Sequence, residues 1–401
     1  MNKSIYFTGQ PIFSQLLNYI PRSIINQHSC ELLTDRYYKK FKTYDHLVTL
    51  LYAIFHQCTS IRELTTGMLA CQNKLGHLGL KYSPRKSTIS EANANRNSLV
   101  FEKIYMSLYR YYKNSLPDSR NKNGIKSRLY IIDSTTISLF KEILKNAGRS
   151  PINGKRKGGV KAHTLTKADE NVPMLVRITS AAAHDVPFLK FINLPPGSIL
   201  TFDKAYVDYS QYQRLSEEKV TWVTRLKKGT QYEILKERII NEEQQNKGVI
   251  SDQEVIIGHT SHKNIIRTKA RLIIYVDSTS SKIFKFLTNN FRMSATTIAQ
   301  IYKNRWQIEV LFKRLKQNYP LRYFLGDNEN AIRIQIWCAL IADLIVNVIK
   351  NRLKRKWSFA NITSMIRLHL MTYTVLVLFL ENPEKCLLTQ NFKSNKDPTL
   401  F

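Results

Sequence analysis

Two aspartates stand where carboxylates do metal chemistry in many α/β proteins. Asp133 follows an apolar run at 129–132, and Asp203 follows a second run at 199–202. Such runs predict buried strands, and ligands gather beyond the carboxyl ends of parallel strands. A carboxylate there costs free energy unless it is paired or binds a metal ion. Either aspartate, taken singly, is also explained as a strand-end residue that caps a turn.

A third acid lies on a predicted helix. The apolar spacing from about Ser294 to Gln317 predicts one long helix that ends before Pro320. At about 100° per residue, four of its polar side chains fall within roughly 60° of one another. These are Tyr302, Arg305, Glu309 and Lys316. A solvated helix face does not explain a lone acid among a tyrosine and two cations. We therefore expect Glu309 to face both aspartates.

Three carboxylates at one place would supply the hard oxygen ligands that Mg²⁺ prefers, with positions left for phosphate oxygens. The predicted metal ligands and catalytic acids are Asp133, Asp203 and Glu309. The three side chains should then converge within metal-binding reach.

The charge balance indicates the partner. Sixty-one Lys and Arg residues against thirty Asp and Glu residues give a net charge of +31, which attracts polyanions. Nucleic acid is the expected partner, and an anionic membrane is the main competitor. No apolar stretch reaches the roughly 20 residues that a membrane span needs, because Asp343 interrupts the longest one. The five cysteines form no C-x-x-C pair, which is typical of reduced packing residues in the cytoplasm.

The elements around the acids predict an α/β fold. Residues 1–125 have helical spacing and an excess of basic residues. Strands are expected at 128–133, 161–166, 174–179, 198–203 and 221–225, with a helix at 208–218. Residues 226–290 indicate a strand-rich insertion before the helix with Glu309.

Further DNA contacts are predicted at two basic segments. Ser83–Ser87 is a chain-breaking turn before a helix, and Thr88 and Glu91 have the spacing of a capping box. A helix entered this way suits the major groove, or is simply a solvated surface helix. The second segment is a glycine-rich basic loop before a strand, where phosphates can approach the backbone. The predicted contacts are Arg85, Lys86 and Arg96 in the first segment, and Lys155, Arg156, Lys157 and Lys161 in the second.

These residues resemble a known family. Tyr302, Arg305, Glu309 and Lys316 match Y-(2)-R-(3)-E-(6)-K at every spacing, the signature of insertion-sequence transposases in the family named after the fourth insertion sequence. The sequence around Asp133, from Ile131 to Thr135, and that around Asp203, from Thr201 to Tyr206, are similar to the family's first two acids. Two further segments, Lys157–Thr164 and Ser87–Arg96, are also similar to the corresponding sequences of the family. The resemblance covers roughly residues 10–350.

The resemblance implies a DDE transposase with a ribonuclease-H-like catalytic core that a strand-rich insertion interrupts. It implies a helical DNA-binding domain at 1–125, core segments at 126–225 and 293–355, and the insertion at 226–292. Beyond the resemblance, the sequence predicts a C-terminal helical region at 356–401. It also implies cut-and-paste chemistry by a homodimer on terminal inverted repeats and target DNA, with two Mg²⁺ ions that Mn²⁺ can replace.

The resemblance also implies roles for residues near Glu309. Phosphates near a transposon end that forms a hairpin would be bound by Tyr302, Arg305 and Lys316. Trp306 would stack on an extruded base, although core packing explains it equally well. The alternatives are a ribonuclease-H-like nuclease or resolvase that does not transpose, and an inactive DNA-binding relative. No membrane partner is expected.

Overall fold

The computed structural model describes residues 9–117, 128–138, 159–181, 183–260, 265–319, 321 and 323–385. Lys155, Arg156 and Lys157, which we predicted to contact DNA, lie outside these ranges. Contacts divide the chain into two compact units. The helical unit comprises residues 1–116, 139–145 and 313–401, and the sheet unit comprises residues 117–138 and 146–312.

The chain begins with helices and continues into an α/β segment. The first helices are α1 (Ile12–Leu17), α2 (Arg22–Glu31), α3 (Thr43–His56), α4 (Ile61–Ala70), α5 (Lys86–Asn95) and α6 (Leu99–Tyr112). Next come β1 (Leu129–Ser138), β2 (Gly159–Lys167), β3 (Pro173–Ser180), β4 (Ile199–Phe202), α7 (Tyr209–Glu217) and β5 (Thr221–Arg225).

The rest of the chain adds strands and then returns to helices. The strands and the helix between them are β6 (Tyr232–Glu237), α8 (Glu242–Asn246), β7 (Val249–Thr260), β8 (Ile265–Val276) and β9 (Ile283–Thr288). The last helices are α9 (Ala295–Lys303), α10 (Trp306–Asn318), α11 (Glu329–Arg352), α12 (Phe359–Leu368) and α13 (Leu376–Glu381).

One mixed sheet organises the sheet unit. Its strand order is β3-β2-β1-β4-β5-β9-β8-β7-β6, with β1, β4 and β5 parallel and the other neighbours antiparallel. The five strands from β3 to β5 have the order of a ribonuclease-H-like core, as expected. The strands after β5 extend this sheet through β9. The apolar core contains Trp222 of β5, Phe202 of β4 and Leu272 of β8, all buried.

The centre of the helical unit is α11. It is apolar and long enough to cross a membrane, but 94% of its most apolar stretch is buried in the described structure. It contacts α3, α5, α6 and α12. Asp343, the acid that interrupts its apolar sequence, is fully buried and accepts a hydrogen bond from Arg314 at 2.7 Å. These contacts are those of a core helix.

Two details of α5 correct the sequence analysis. The helix begins at Lys86 with Arg85 as its N-cap residue, so Thr88 and Glu91 do not form the predicted capping box. Arg96 is 1% exposed and is therefore not a surface contact to DNA. Its guanidinium donates to the carbonyls of Phe41 at 2.6 Å and Lys42 at 3.0 Å. Arg85 and Lys86 are exposed, as expected.

The Arg96→Ala substitution should lower the free energy of unfolding by about 2–4 kcal/mol, because two carbonyls lose their donor. Arg85→Ala, which removes an exposed cation at the start of the same helix, is the control and should change stability by less than about 0.5 kcal/mol. Urea denaturation of both variants measures this. Equal stability of the two variants would show that the Arg96 contacts do not hold the segment before α3.

Candidate active site

The register of two parallel strands places the aspartates side by side. Ile132 of β1 pairs with Phe202 of β4, so Asp133 and Asp203 each follow the last paired residue of the parallel ladder. Asp203 lies at a strand end, as predicted, whereas β1 continues to Ser138 and pairs there with β2 alone. Asp133 therefore lies within a strand, at the point where its parallel neighbour ends. That position leaves space for its side chain beside Asp203.

Asp133 is mostly buried, with 16% of its side chain exposed. One oxygen accepts from the Ser134 amide at 2.8 Å, and the other accepts from the Arg305 guanidinium at 2.6 Å. Burial raises the pKa of Asp133 to about 6. Arg305 and the Ser134 amide oppose that rise, while the negative charges of Asp203 and Glu309 add to it. The three acids thus interact electrostatically.

Asp203 has a cationic partner that the sequence analysis did not identify. Its Oδ2 accepts from Nη2 of Arg225 at 3.1 Å, and its Oδ1 accepts from the Ala205 amide at 3.0 Å. Arg225 is the last residue of β5, the strand beside β4. The only sequence feature that could have indicated this partner is the position of Arg225, a cation at the end of an apolar strand. That feature indicates contact with Asp203 only when β5 is known to run parallel to β4, because the two strand ends then lie at the same edge of the sheet.

The predicted single helix from Ser294 to Gln317 is two helices. α9 ends at Lys303 and α10 begins at Trp306. The amides of Arg305, Gln307 and Ile308 each donate to a carbonyl three residues back, which is a tighter turn than an α-helix. Arg305 lies in this turn.

The Arg305 side chain joins two of the predicted acids. It is 10% exposed and donates to Asp133 Oδ2 at 2.6 Å and to Glu309 Oε1 at 2.5 Å. One guanidinium therefore bridges the sheet acid and the helix acid. The predicted role of Arg305 was contact with DNA phosphates alone, so its pairing with two acids is an additional role.

The other signature residues occupy different environments. Tyr302 is 7% exposed, and its hydroxyl has no hydrogen-bond partner among the described residues. Trp306 is 62% exposed, so it is not a core residue. Lys316 lies seven positions after Glu309 on α10, in the stretch that belongs to the helical unit. Burial lowers the pKa of Lys316.

An aromatic cavity of about 610 Å³ adjoins Arg305. Tyr302, Trp306 and two phenylalanines of β9, Phe284 and Phe286, contribute to its wall. The rings of these phenylalanines are parallel within 5°, with centroids 5.7 Å apart. The insertion therefore supplies aromatic rings at this position, in addition to the predicted Trp306.

Lys161 was predicted to bind DNA, but its ammonium is satisfied within the sheet unit. It donates to the Ala183 carbonyl at 2.8 Å and lies 3.4 Å from Asp185. Asp185 also accepts from the Ser134 hydroxyl at 2.7 Å and lies 3.4 Å from His163. This polar cluster supports β1 next to Asp133. Lys161 is better described as a positioning residue than as an exposed phosphate contact.

The donor set fits a divalent cation, although the acids do not form a closed metal site. Asp133, Asp203 and Glu309 offer carboxylate oxygens, the ligands of hard cations. Within the described ranges, no three His, Cys, Asp or Glu residues are grouped closely enough to hold a metal ion. Instead, Arg305 pairs with both Asp133 and Glu309. The expected convergence therefore requires this guanidinium to move aside.

The raised pKa of Asp133 predicts a pH dependence of stability. Because its folded-state value of about 6 exceeds the ordinary 3.8, the stability contributed by the neutral carboxyl is present below pH 3.8 and is lost as pH rises through 6. Relative to Asp133→Asn, the wild-type protein should lose about 2–3 kcal/mol of unfolding free energy between pH 4 and 7. Urea denaturation without divalent cations measures this. A difference that does not vary with pH would contradict the burial argument.

Comparison with known proteins identifies the family. The model of the transposase DDE domain matches residues 124–344, and a domain of unknown function matches residues 8–81. A protein of Sinorhizobium fredii named as a transposase is 32% identical over 66% of this chain and 72% of its own length. A protein of Geobacillus stearothermophilus, named as a transposase for an insertion sequence element, is 28% identical over 57% of this chain and 58% of its own.

A solved structure, the piggyBac transposase synaptic complex with hairpin DNA, aligns at a TM-score of 0.42 and 12% identity. The alignment covers 98% of this chain and 87% of that one. This likeness is too low to add to the assignment. The resemblance to insertion-sequence transposases is confirmed by the domain match and the relatives. Since the domain model matches more than half of the chain, the protein belongs to the DDE transposase family, enzymes that cleave DNA and transfer the cut strands.

Proposed function

We propose that the protein moves an insertion sequence by a cut-and-paste reaction, with Asp133, Asp203 and Glu309 as the catalytic acids. The observation that carries this proposal is the position of Arg305, which binds an acid of β1 and an acid of α10 at once. Asp203 follows the last ladder pair beside Asp133, which supports its inclusion. The DNA substrates are terminal inverted repeats and a target site, and the protein acts as a homodimer at the bacterial nucleoid in the cytoplasm.

DDE transposases use divalent metal ions, and here we propose two Mg²⁺ ions, replaceable by Mn²⁺, held by the three acids. When bound, such ions activate a water or 3′-hydroxyl and stabilise the leaving oxygen. The residues of this chain have two tasks. The acids would hold the ions that bind the scissile phosphate, and Arg305 pairs with Asp133 and Glu309.

Arg305 then gains a second task. With Asp133 and Glu309 holding a cation, the Arg305 guanidinium would be free to bind a phosphate in a bidentate manner. Tyr302 lies beside it, with its ring 5.6 Å from the guanidinium carbon and its hydroxyl lacking a partner among the described residues. A phosphate oxygen would satisfy that hydroxyl. We assign Lys316 to the same DNA backbone, further along α10.

The aromatic cavity fits an unstacked base. Trp306 is exposed at its rim, and Phe284 and Phe286 present parallel rings in its wall. Stacking on aromatic rings is worth about 1–3 kcal/mol per base and tolerates any base. A base extruded at a DNA hairpin would enter here. Arg85, Lys86 and the segment of Lys155, Arg156 and Lys157 are proposed as backbone contacts outside the catalytic centre.

Cleavage of a defined DNA tests the proposal. Purified protein, Mg²⁺ and a fragment with matched inverted repeats should yield double-strand breaks at the repeat ends. A fragment with scrambled ends is the control. Binding without breaks would identify an inactive DNA-binding relative. Cleavage of branched junctions in preference to repeat ends would identify a resolvase instead.

A further inference from the structure

A basic groove shares a border with the aromatic cavity. Its volume is about 570 Å³, and Arg225 and Phe284 border both spaces. Six cations line it, and none of its lining residues is acidic: Lys204, Arg225, Lys227, Lys228, Lys282 and Lys285. None of its lysines belongs to the signature or to the predicted DNA contacts.

The lysines of this groove are uncompensated. All five are exposed. No ion pair to any of them is found in the part of the chain that the structure describes. Like charges held around one small space repel each other, which costs free energy unless an anion enters. The field inside such a cleft therefore concentrates polyanions.

Backbone hydrogen bonds order the main chain of the segments that contain Lys227, Lys228 and Lys285. The Leu226 amide donates to the Lys285 carbonyl at 2.8 Å, which ties the end of β5 to β9. The Thr230 amide closes a turn on the Lys227 carbonyl at 3.1 Å, and Gly229 there has a φ of +84°. A left-handed conformation at this position favours glycine. Ammonium groups on a braced turn lose less freedom when they bind than those on a loose loop.

Two residues of the groove connect it with Asp203. Lys204 immediately follows Asp203, and Arg225 donates to Asp203 while lining the groove. A chain of phosphates that leaves the acids along this edge of the sheet would meet Lys204 first. The lysines beyond β5 and at β9 would follow.

We propose that this groove binds successive phosphates of the DNA strand adjoining the cleaved bond. The inference rests on the proposed function. It adds a surface that binds the DNA backbone without recognising the base sequence. Contacts between lysines and phosphates suit either a transposon end or a target duplex. The experiment below distinguishes these two sources.

The test removes three lysines that do not adjoin the acids. The groove variant is Lys227→Ala, Lys228→Ala and Lys285→Ala in one chain. The matched control is Lys190→Ala, Lys219→Ala and Lys236→Ala, three exposed lysines of the sheet unit outside the groove. Both variants lose the same net charge. A version with Arg at the three groove positions restores the charge, and thermal melting checks that all versions fold.

Binding to a repeat-end duplex and to a target duplex is measured by titration at several salt concentrations. We expect the groove variant to lose on the order of 10- to 100-fold in affinity for one of these DNAs. Its log–log salt slope should become shallower by about 2.7, which is about 0.9 for each of three phosphates. The control should keep the wild-type slope, and the arginine version should recover affinity. A loss with the repeat end assigns the groove to the transposon, and a loss with the target duplex alone assigns it to the target.

Two results would overturn the proposal. One is an unchanged affinity and slope for both DNAs in the groove variant. The other is an equal loss in the control variant, which would show a response to net charge alone. Either result can occur while wild-type protein cleaves repeat ends, so it leaves the proposed function intact. Failure of the wild-type protein to cleave would instead contradict the proposed function.

Discussion

Glu309→Gln should reduce Mg²⁺-dependent cleavage of repeat ends by on the order of 10³-fold or more. The substitution keeps the shape of the side chain but removes a charged oxygen ligand. Metal ions contribute several kcal/mol to stabilising the transition state of phosphoryl transfer, and each 1.4 kcal/mol is about tenfold in rate. Binding to repeat ends should remain, because a carboxylate repels phosphates. Single-turnover cleavage and titration measure the two properties.

Two comparisons make this result specific to Glu309. Glu217→Gln is the same substitution at an exposed position of α7, and it should cleave at the wild-type rate. The free energy of unfolding of Glu309→Gln should change by less than about 1 kcal/mol, because Glu309 is one-third exposed and its ion pair with Arg305 is partly screened. If Glu309→Gln cleaves at the wild-type rate, Glu309 is not the third acid.

Arg305→Ala should be both destabilised and defective at the DNA end. Removing the guanidinium leaves Asp133 and Glu309 without their shared partner, and breaking a buried pair on one side costs about 3–5 kcal/mol. Protonation of Asp133 limits that cost at low pH, because its pKa is raised to about 6. The loss of unfolding free energy should therefore be larger at pH 8 than at pH 5. Urea denaturation without divalent cations measures it.

Added Mg²⁺ separates the two tasks of Arg305. A cation that takes the place of the guanidinium should stabilise Arg305→Ala more than it stabilises the wild-type protein. Hairpin formation should still fail, because the bidentate phosphate contact is lost. Arg333→Ala removes an arginine from an exposed pair with Glu329 and is the control, with little expected change. Normal hairpin formation by Arg305→Ala would show that Arg305 acts only on the acids.

Local sequence patterns predicted most of the elements of the sheet unit. Apolar runs identified β1, β4 and β5, because a buried strand needs apolar side chains on both faces. The helical spacing of 294–317 was recognised, but the break at Asn304 and Arg305 was not. Helix propensity at these two residues is ordinary. The turn there is accompanied by the contacts of Arg305 with Asp133 and Glu309, and one of those partners lies far away in sequence.

The predicted phosphate contacts show the same limit. Arg96 and Arg85 are the same residue type and border the same predicted helix. The fold buries Arg96 against the carbonyls of Phe41 and Lys42 and leaves Arg85 exposed. Burial depends on which elements pack together, so composition cannot distinguish a structural arginine from a DNA-binding one.

By itself, the sequence determined the family, the basic character and the ribonuclease-H-like order of elements, and it singled out the three acids that we propose as catalytic. Residue types, spacings and apolar periods carry that information directly. Tertiary structure alone decided that Asp133 and Asp203 are neighbours through the pairing of Ile132 with Phe202, and that Arg305 bridges two acids. It also brought the lysines after β5 beside those of β9 to form the basic groove. The physical reason is that strand register and burial join residues far apart in the chain, and no local spacing encodes which of them will meet.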